Sequence, residues 1–169
     1  GASVLLLAPM LLHRPAAPEA VEELIFEADT PFHALRVTEV VYPGDRQPER
    51  RLYLNGEEES GELVRSGAPT LAYIAAAEAW LAERTPRGAS YLFLGGGAYT
   101  LPRRVAERDG RAAITVVELD PDVTRAAYRY FGLRTHHGIH SVHGDARAFL
   151  ERGGARDYDR IYVDVYGGN

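Results

Sequence analysis

The sequence predicts an α/β fold: a Rossmann-like, doubly wound parallel sheet preceded by a small antiparallel β hairpin domain. Three observations carry this. From Ser90 onward, short apolar runs alternate with helical segments through brief connections, the pattern of a parallel sheet with crossover helices. The first of these runs, Tyr91-Leu92-Phe93-Leu94, is apolar throughout, as expected of a strand covered on both faces. Upstream, residues 32–41 and 51–54 carry Leu35, Val37, Leu52 and Leu54 in near alternation and flank a turn-forming stretch, Tyr42 to Pro48, as an antiparallel hairpin would.

In chain order, residues 1–22 read as an apolar stump and a Pro/Ala linker, 23–68 as the small β domain, and 69–169 as a nucleotide-binding domain that is cut at its C-terminal end. The apolar run 2–12 ends at His13-Arg14 and is too short to cross a bilayer, which takes about 20 residues. It reads either as a buried strand or helix start, or as the stump of a membrane helix. Gly1 in place of Met, and a last segment just past a strand, suggest a fragment. Asn55-Gly56 forms a second turn, since both residues tolerate positive φ. Residues 70–84 form a helix with Pro69 and Thr70 at its start and an Ala-rich interior. Four strands then follow at 91–94, 114–117, 139–143 and 161–163. Helices run from the glycines at 95–97 to Arg108, from Asp120-Pro121 to about Phe131, and over 146–152. Asp and Pro suit the N-cap and first helical positions.

The chain has 169 residues, 46% of them hydrophobic and 25% charged, in keeping with one globular domain. Cysteine is absent, which excludes a disulfide framework, a Cys nucleophile and a Cys-based zinc site. The net charge of −5 argues against nucleic acid as the main partner and suits a cationic substrate. His136, His137, His140 and His143 cluster, but without HExxH or acids at ligand spacing, so they read as a polar loop and no metal is expected.

In a doubly wound sheet, ligands bind beyond the carboxyl ends of the strands. Gly95-Gly96-Gly97, Glu118, Asp145 and Asp164 each follow a strand directly, so the topology gathers them at one edge. The glycines allow a sharp turn and close approach to a ligand. Glu118 lies 21 residues after Gly97, at the end of the second strand, where a carboxylate can accept from both ribose hydroxyls. Thr100 stands where the dinucleotide fingerprint has its third glycine, which disfavours NAD and leaves room for an adenosyl ligand without a pyrophosphate. Asp145 reads as an acceptor for an adenine amino group or as a helix N-cap. Asp164 reads as a general base, an electrostatic anchor, or a turn cap.

These motifs, in this order, resemble the spermidine synthase family of polyamine aminopropyltransferases. Gly95-Gly96-Gly97-Ala98-Tyr99-Thr100 is similar to the family's GGGDGG. Glu118-Leu119-Asp120-Pro121 matches its E-(I/L)-D-P, and Gly144-Asp145-Ala146 its GDA. Tyr158-Asp159-Arg160-Ile161-Tyr162-Val163-Asp164 matches its YDVIxVD strand, and Leu54-Asn55-Gly56-Glu57-Glu58-Glu59 its L-D-G-x-x-Q. The resemblance spans roughly residues 30–169.

It implies an adenosylmethionine-methyltransferase-like sheet and a transferase of polyamine biosynthesis. That enzyme would bind decarboxylated or ordinary S-adenosylmethionine without a metal and pass an aminopropyl group to a small-molecule amine. Glu118 would hold the ribose, Asp145 with Ala146 the adenine, and Gly95, Gly96, Gly97 and Glu59 the donor. Asp164 and Tyr73 would be catalytic. The His-Glu that follows the family's tyrosine is here Ile74-Ala75, and Glu59 replaces a donor-contacting Gln. Ala98 stands for the Asp of the glycine motif and Gly167 for a second acid after the catalytic one, which implies weak discrimination between the two donors. The segment 164–169 looks like that of spermidine synthase-like proteins fused to membrane segments, implying a cytoplasmic domain with a membrane tether; a homodimer is compatible. The alternatives are an S-adenosylmethionine-dependent methyltransferase and a non-catalytic adenosyl- or polyamine-sensing domain.

Overall fold

The computed structural model describes residues 3–6, 20–154 and 157–165. Two sheets form. The first is an antiparallel meander in the order β2-β3-β4-β5, with β2 at Val21–Asp29, β3 at Ala34–Val41, β4 at Glu49–Leu54 and β5 at Glu57–Leu63. The expected hairpin is its centre: Leu35 pairs with Leu54 and Val40 with Glu49. Asn55 (φ 52°) and Gly56 (φ 88°) make the tight β4–β5 turn. The strand β2 was not expected. Its polarity does not alternate, because the register shifts between Leu24 and Phe26 and most of the strand is exposed.

The second sheet is parallel, in the order β1 (Ser3–Leu6), β9 (Arg160–Val163), β6 (Ser90–Leu94), β7 (Ala113–Glu118) and β8 (His140–His143). Its central strand, β6, pairs with β7 and with β9. The strand β8 lies beyond β7. The helices are α1 (Ala72–Arg84), α2 (Thr100–Arg108), α3 (Pro121–Tyr130) and α4 (Ala146–Glu151). The α/β architecture is therefore the one the sequence predicts.

The apolar run near the N-terminus corrects one expectation. Ser3–Leu6 forms β1, an edge strand parallel to β9 with Ser3 opposite Arg160 and Leu6 opposite Val163. Those four residues follow the strand reading rather than the membrane-helix reading. Residues 7–12, the linker through residue 19, and Tyr166 to Asn169 lie outside the described residues. Among the described residues, no helix is long and apolar enough to cross a membrane.

The start of α1 also differs. Leu71, not Thr70, holds its N-cap position, with no side-chain cap. The Thr70 hydroxyl is buried without a hydrogen-bond partner and fills the notch left by Gly61, where a Cβ would meet it at 2.3 Å.

Side chains of β6 separate onto two faces. Tyr91 and Phe93 join Leu81, Val105 and Val116 on one side, and Leu92 and Leu94 join Val117 on the other. A third cluster binds the two sheets together. Leu35, Val37 and Leu52 of the meander pack on Ala98, Val123, Ala126 and Phe131, all within 3% exposure. Burying each large side chain there contributes about 1.5–3 kcal/mol. This seam presents the middle of β5, at Ser60, to the glycine turn after β6.

Candidate active site

The glycine turn is shaped by what lies against it. Gly95 has φ +92°, and a Cβ there would stand 2.0 Å from the backbone oxygen of Asp164. Its N–H donates to the Val117 carbonyl (2.8 Å), and the Asp164 N–H donates to that of Leu94 (2.8 Å). Only glycine allows β6 and β9 to end this close together. At Gly97 (φ +48°), a Cβ would meet the Ser60 hydroxyl oxygen at 2.7 Å. That same oxygen accepts from the Ala98 N–H (3.0 Å), so the small sheet caps the glycine turn directly.

Glu118 ends β7 and is 6% exposed. Its Oε2 accepts from the Gly96 N–H (2.8 Å) and its Oε1 from the Asp120 N–H (2.9 Å). Burial raises its pKa above the usual carboxylate range, while these two N–H donors oppose the rise. A carboxylate offers about four lone-pair sites, so two such bonds leave acceptor capacity for a ligand.

Glu59, on β5, faces the same region. Burial, together with the negative charges of Asp164, Glu57 and Glu118, pushes its pKa up to about 7. The Tyr73 hydroxyl donates to the Glu59 backbone oxygen (3.3 Å), and the Tyr162 hydroxyl to Asp164 Oδ2 (3.4 Å). The fold thus brings Gly95, Gly96, Gly97, Glu118, Glu59, Asp164 and Tyr73 to one place, although they come from β5, α1 and three strand ends. Such a concentration of carboxylates is electrostatically suited to a cation.

Asp145 and Ala146 stand at the next strand end, where the Gly144 N–H donates to the Glu118 carbonyl (2.9 Å). Asp145 is exposed and caps α4, its Oδ1 accepting from the Ala148 N–H (2.7 Å). A carboxylate offers about four lone-pair sites, so the cap and an adenine contact are compatible. Ala146 packs against Leu92, Leu94 and Val117.

Ala98 stands at the position that the motif resemblance aligns with an acid. It is fully buried in the seam with Leu35, Val37 and Val123. A carboxylate there would enter an apolar cluster rather than open space. The His136 and His137 rings lie against each other (centroids 4.4 Å apart), with His137 Nδ1 accepting from the Arg134 N–H (3.1 Å), while His143 Nε2 lies 3.0 Å from the Thr124 hydroxyl. Among the described residues, no group of metal-ligating side chains assembles.

Sequence reasoning missed Ser60, which reaches the glycine turn only through a tertiary contact, and Tyr162, whose hydroxyl donates to Asp164 two residues further along the same strand end. It also missed half of Asp120's role. Besides capping α3 through the Asp122 N–H (2.9 Å), this fully buried carboxylate accepts from Thr30 Oγ1 (2.5 Å) and lies 3.1 Å from His33 Nδ1. Its place in the Glu-Leu-Asp-Pro motif was the available signal.

No protein-family model matches the chain. It is 33% identical, over 85 residues, to a polyamine aminopropyltransferase of Vibrio vulnificus (strain CMCP6); the match covers 49% of this chain and 28% of that protein. Its structure superimposes on a probable spermidine synthase from Corynebacterium glutamicum with a TM-score of 0.70 at 22% identity, covering 85% of this chain and 53% of the other. A spermidine synthase in complex with the transition state analogue AdoDATO gives a TM-score of 0.55 at 16% identity, covering 83% and 47%. The chain spans little more than a quarter of the curated relative in the match and about half of these two solved structures. It has the fold of spermidine synthases, an antiparallel four-stranded sheet ahead of a Rossmann-like parallel one.

Proposed function

We propose that the chain is the donor-binding part of an aminopropyltransferase-like enzyme, which holds an adenosyl-sulfonium compound and passes its aminopropyl group to a small amine. The observation that carries this reading is the meeting of Glu59, Asp164 and Glu118 around the glycine turn, with Glu59 pushed up to about 7 by its neighbours and burial. Such a site favours a ligand with positive charge on sulfur and nitrogen. The similarity to a polyamine aminopropyltransferase and the fold shared with a spermidine synthase that binds AdoDATO support the same choice.

In this reading Glu118 accepts from the ribose hydroxyls and Asp145 from the adenine amino group, while Gly95, Gly96 and Gly97 let the backbone lie close to the thioether arm. The amine nitrogen attacks the carbon bound to sulfur. A C–N bond forms, the C–S bond breaks with its electron pair going to sulfur, and a neutral thioether leaves. Asp164 takes the proton released by the amine, with Tyr162 orienting its carboxylate. Tyr73 steadies Glu59 through the backbone. Positioning of the two reactants and a deprotonated nucleophile supply the catalysis.

Calorimetry with methylthioadenosine tests the placement. Glu118→Ala should weaken binding by roughly 1.5–3 kcal/mol, the scale of hydrogen bonds to a charged group. Equal affinity for wild type and variant would remove Glu118 from the ribose site. Turnover with labelled S-adenosylmethionine and its decarboxylated form, each with putrescine, separates aminopropyl transfer from methyl transfer and from ligand sensing. The donor preference is tested at Glu59 rather than at Ala98, because Glu59→Gln changes charge at the site without burying a new carboxylate.

A further inference from the structure

A concave site lies away from the strand ends. The helix α3 leaves the carboxyl edge at Pro121 and reaches Tyr130 roughly 14 Å further along its axis. At that end a cavity of about 340 Å³ opens between the small sheet, α2 and the end of α3. Arg50, Arg65, Arg103, Arg129 and Arg134 line it against two glutamates, an excess of three positive charges in a chain whose net charge is −5. Its volume is within the range of small-molecule sites, about 300–1,000 Å³.

Internal ion pairing accounts for only part of this charge. Arg103 donates to Glu62 (2.6 Å) and Glu107 (2.8 Å), and Arg50 pairs with Glu39. The Nε atoms of both Arg50 and Arg103 are nevertheless buried without a hydrogen-bond partner, and Arg103 as a whole is only 5% exposed. A buried unpaired donor costs free energy, on the order of 1–3 kcal/mol. Space lies beside Arg103 because residue 132 is glycine: a Cβ there would stand 3.9 Å from Arg103 Nε.

The other three guanidiniums have no carboxylate within ion-pair distance among the described residues. Arg134 reaches only the carbonyls of Tyr128 and Leu133, and Arg129 lies over the Tyr130 ring. Guanidiniums from four separate segments converge on one space. A planar carboxylate is matched by one bidentate guanidinium, whereas a phosphate presents oxygens in several directions and carries up to two negative charges.

We propose that this cavity binds the phosphate group of a small soluble molecule, at a site separate from the carboxylate cluster at the strand ends. The test is calorimetric titration of the chain with inorganic phosphate and with pyrophosphate at constant ionic strength, against chloride. Saturable binding is expected, weakened roughly tenfold or more by Arg129→Gln and by Arg65→Gln, both at positions exposed enough to leave the fold intact. The same variants should bind methylthioadenosine as wild type does, and saturating methylthioadenosine should leave phosphate binding unchanged. Binding no stronger than chloride's, equal phosphate affinity in the variants, or competition with methylthioadenosine would each overturn the proposal.

Discussion

Glu59 shows how a single residue can report on its surroundings. Its carboxyl titrates at about 7 in the folded chain, against 4.5 ordinarily. Between these values the native state holds a proton that the unfolded state has lost, so stability falls as pH rises from about 4.5 to about 7 and stays lowered above. The loss should be on the order of 1–2 kcal/mol, less than the full shift implies, because the group is partly exposed. Urea denaturation of wild type and Glu59→Gln across pH 5–8 checks this. The variant should show a flatter profile and greater relative stability at pH 8; parallel profiles would mean that Glu59 keeps its ordinary titration. A cationic ligand beside Glu59 would favour its charged form, so ligand binding should release protons near neutral pH.

At the scale of elements, Asp120 joins a helix start to a loop of the other sheet. It caps α3 and holds Thr30 and His33 of the β2–β3 connection. An N-cap deletion alone costs about 0.5–2 kcal/mol, and leaving two half-buried partners, Thr30 and His33, without their acceptor adds to it. Asp120→Ala should therefore lower stability by about 2–4 kcal/mol, measured from denaturant midpoints. Amide exchange in residues 29–34 should quicken in the same variant. Loss of helix stability with unchanged exchange in that loop would show that the contact to Thr30 and His33 carries no energy. The motif that supplies Asp120 also supplies Glu118, so one short segment both forms part of the candidate site and ties the two sheets together.

At the scale of the whole molecule, the two sheets are coupled by polar contacts around an apolar seam. Glu62 of β5 accepts from Arg103 of α2 (2.6 Å) and from the Thr100 hydroxyl (3.2 Å), all three groups being buried. Burial raises the pKa of Glu62 above its ordinary value, and Arg103 opposes the rise. Removing one partner of a buried pair costs about 3–5 kcal/mol. Glu62→Gln should fall at the low end, about 3 kcal/mol, since Glu107 still faces Arg103. The measurement is thermal unfolding followed by both Trp80 fluorescence and circular dichroism. Coincident transitions at a lower temperature are expected; separate transitions would show that the sheets unfold independently.

The order of strands and helices from Ser90 was legible in the sequence because burial on both faces makes parallel strands apolar throughout and because glycine, Asp and Pro punctuate the connections. Glu118, Asp145 and Asp164 were legible as site candidates for the same reason: topology alone sends the residue after each parallel strand to one edge. What remained hidden depended on contacts between distant segments. The strand β2 carries no clean period, since a register shift and an exposed face remove it. Whether residues 3–6 belong to a sheet was undecidable from an apolar run, and pairing with β9 decided it. Ala98 was aligned with an acid by motif, yet its side chain is enclosed by the other sheet. The proximity of Glu59 to Asp164 and Glu118, and the convergence of five arginines on one cavity, arise from residues far apart in the chain. Local sequence encodes which residues can turn, cap or alternate. Only the packing of one sheet on the other determines which charges meet, because electrostatic coupling depends on distance in space and on the water that folding excludes.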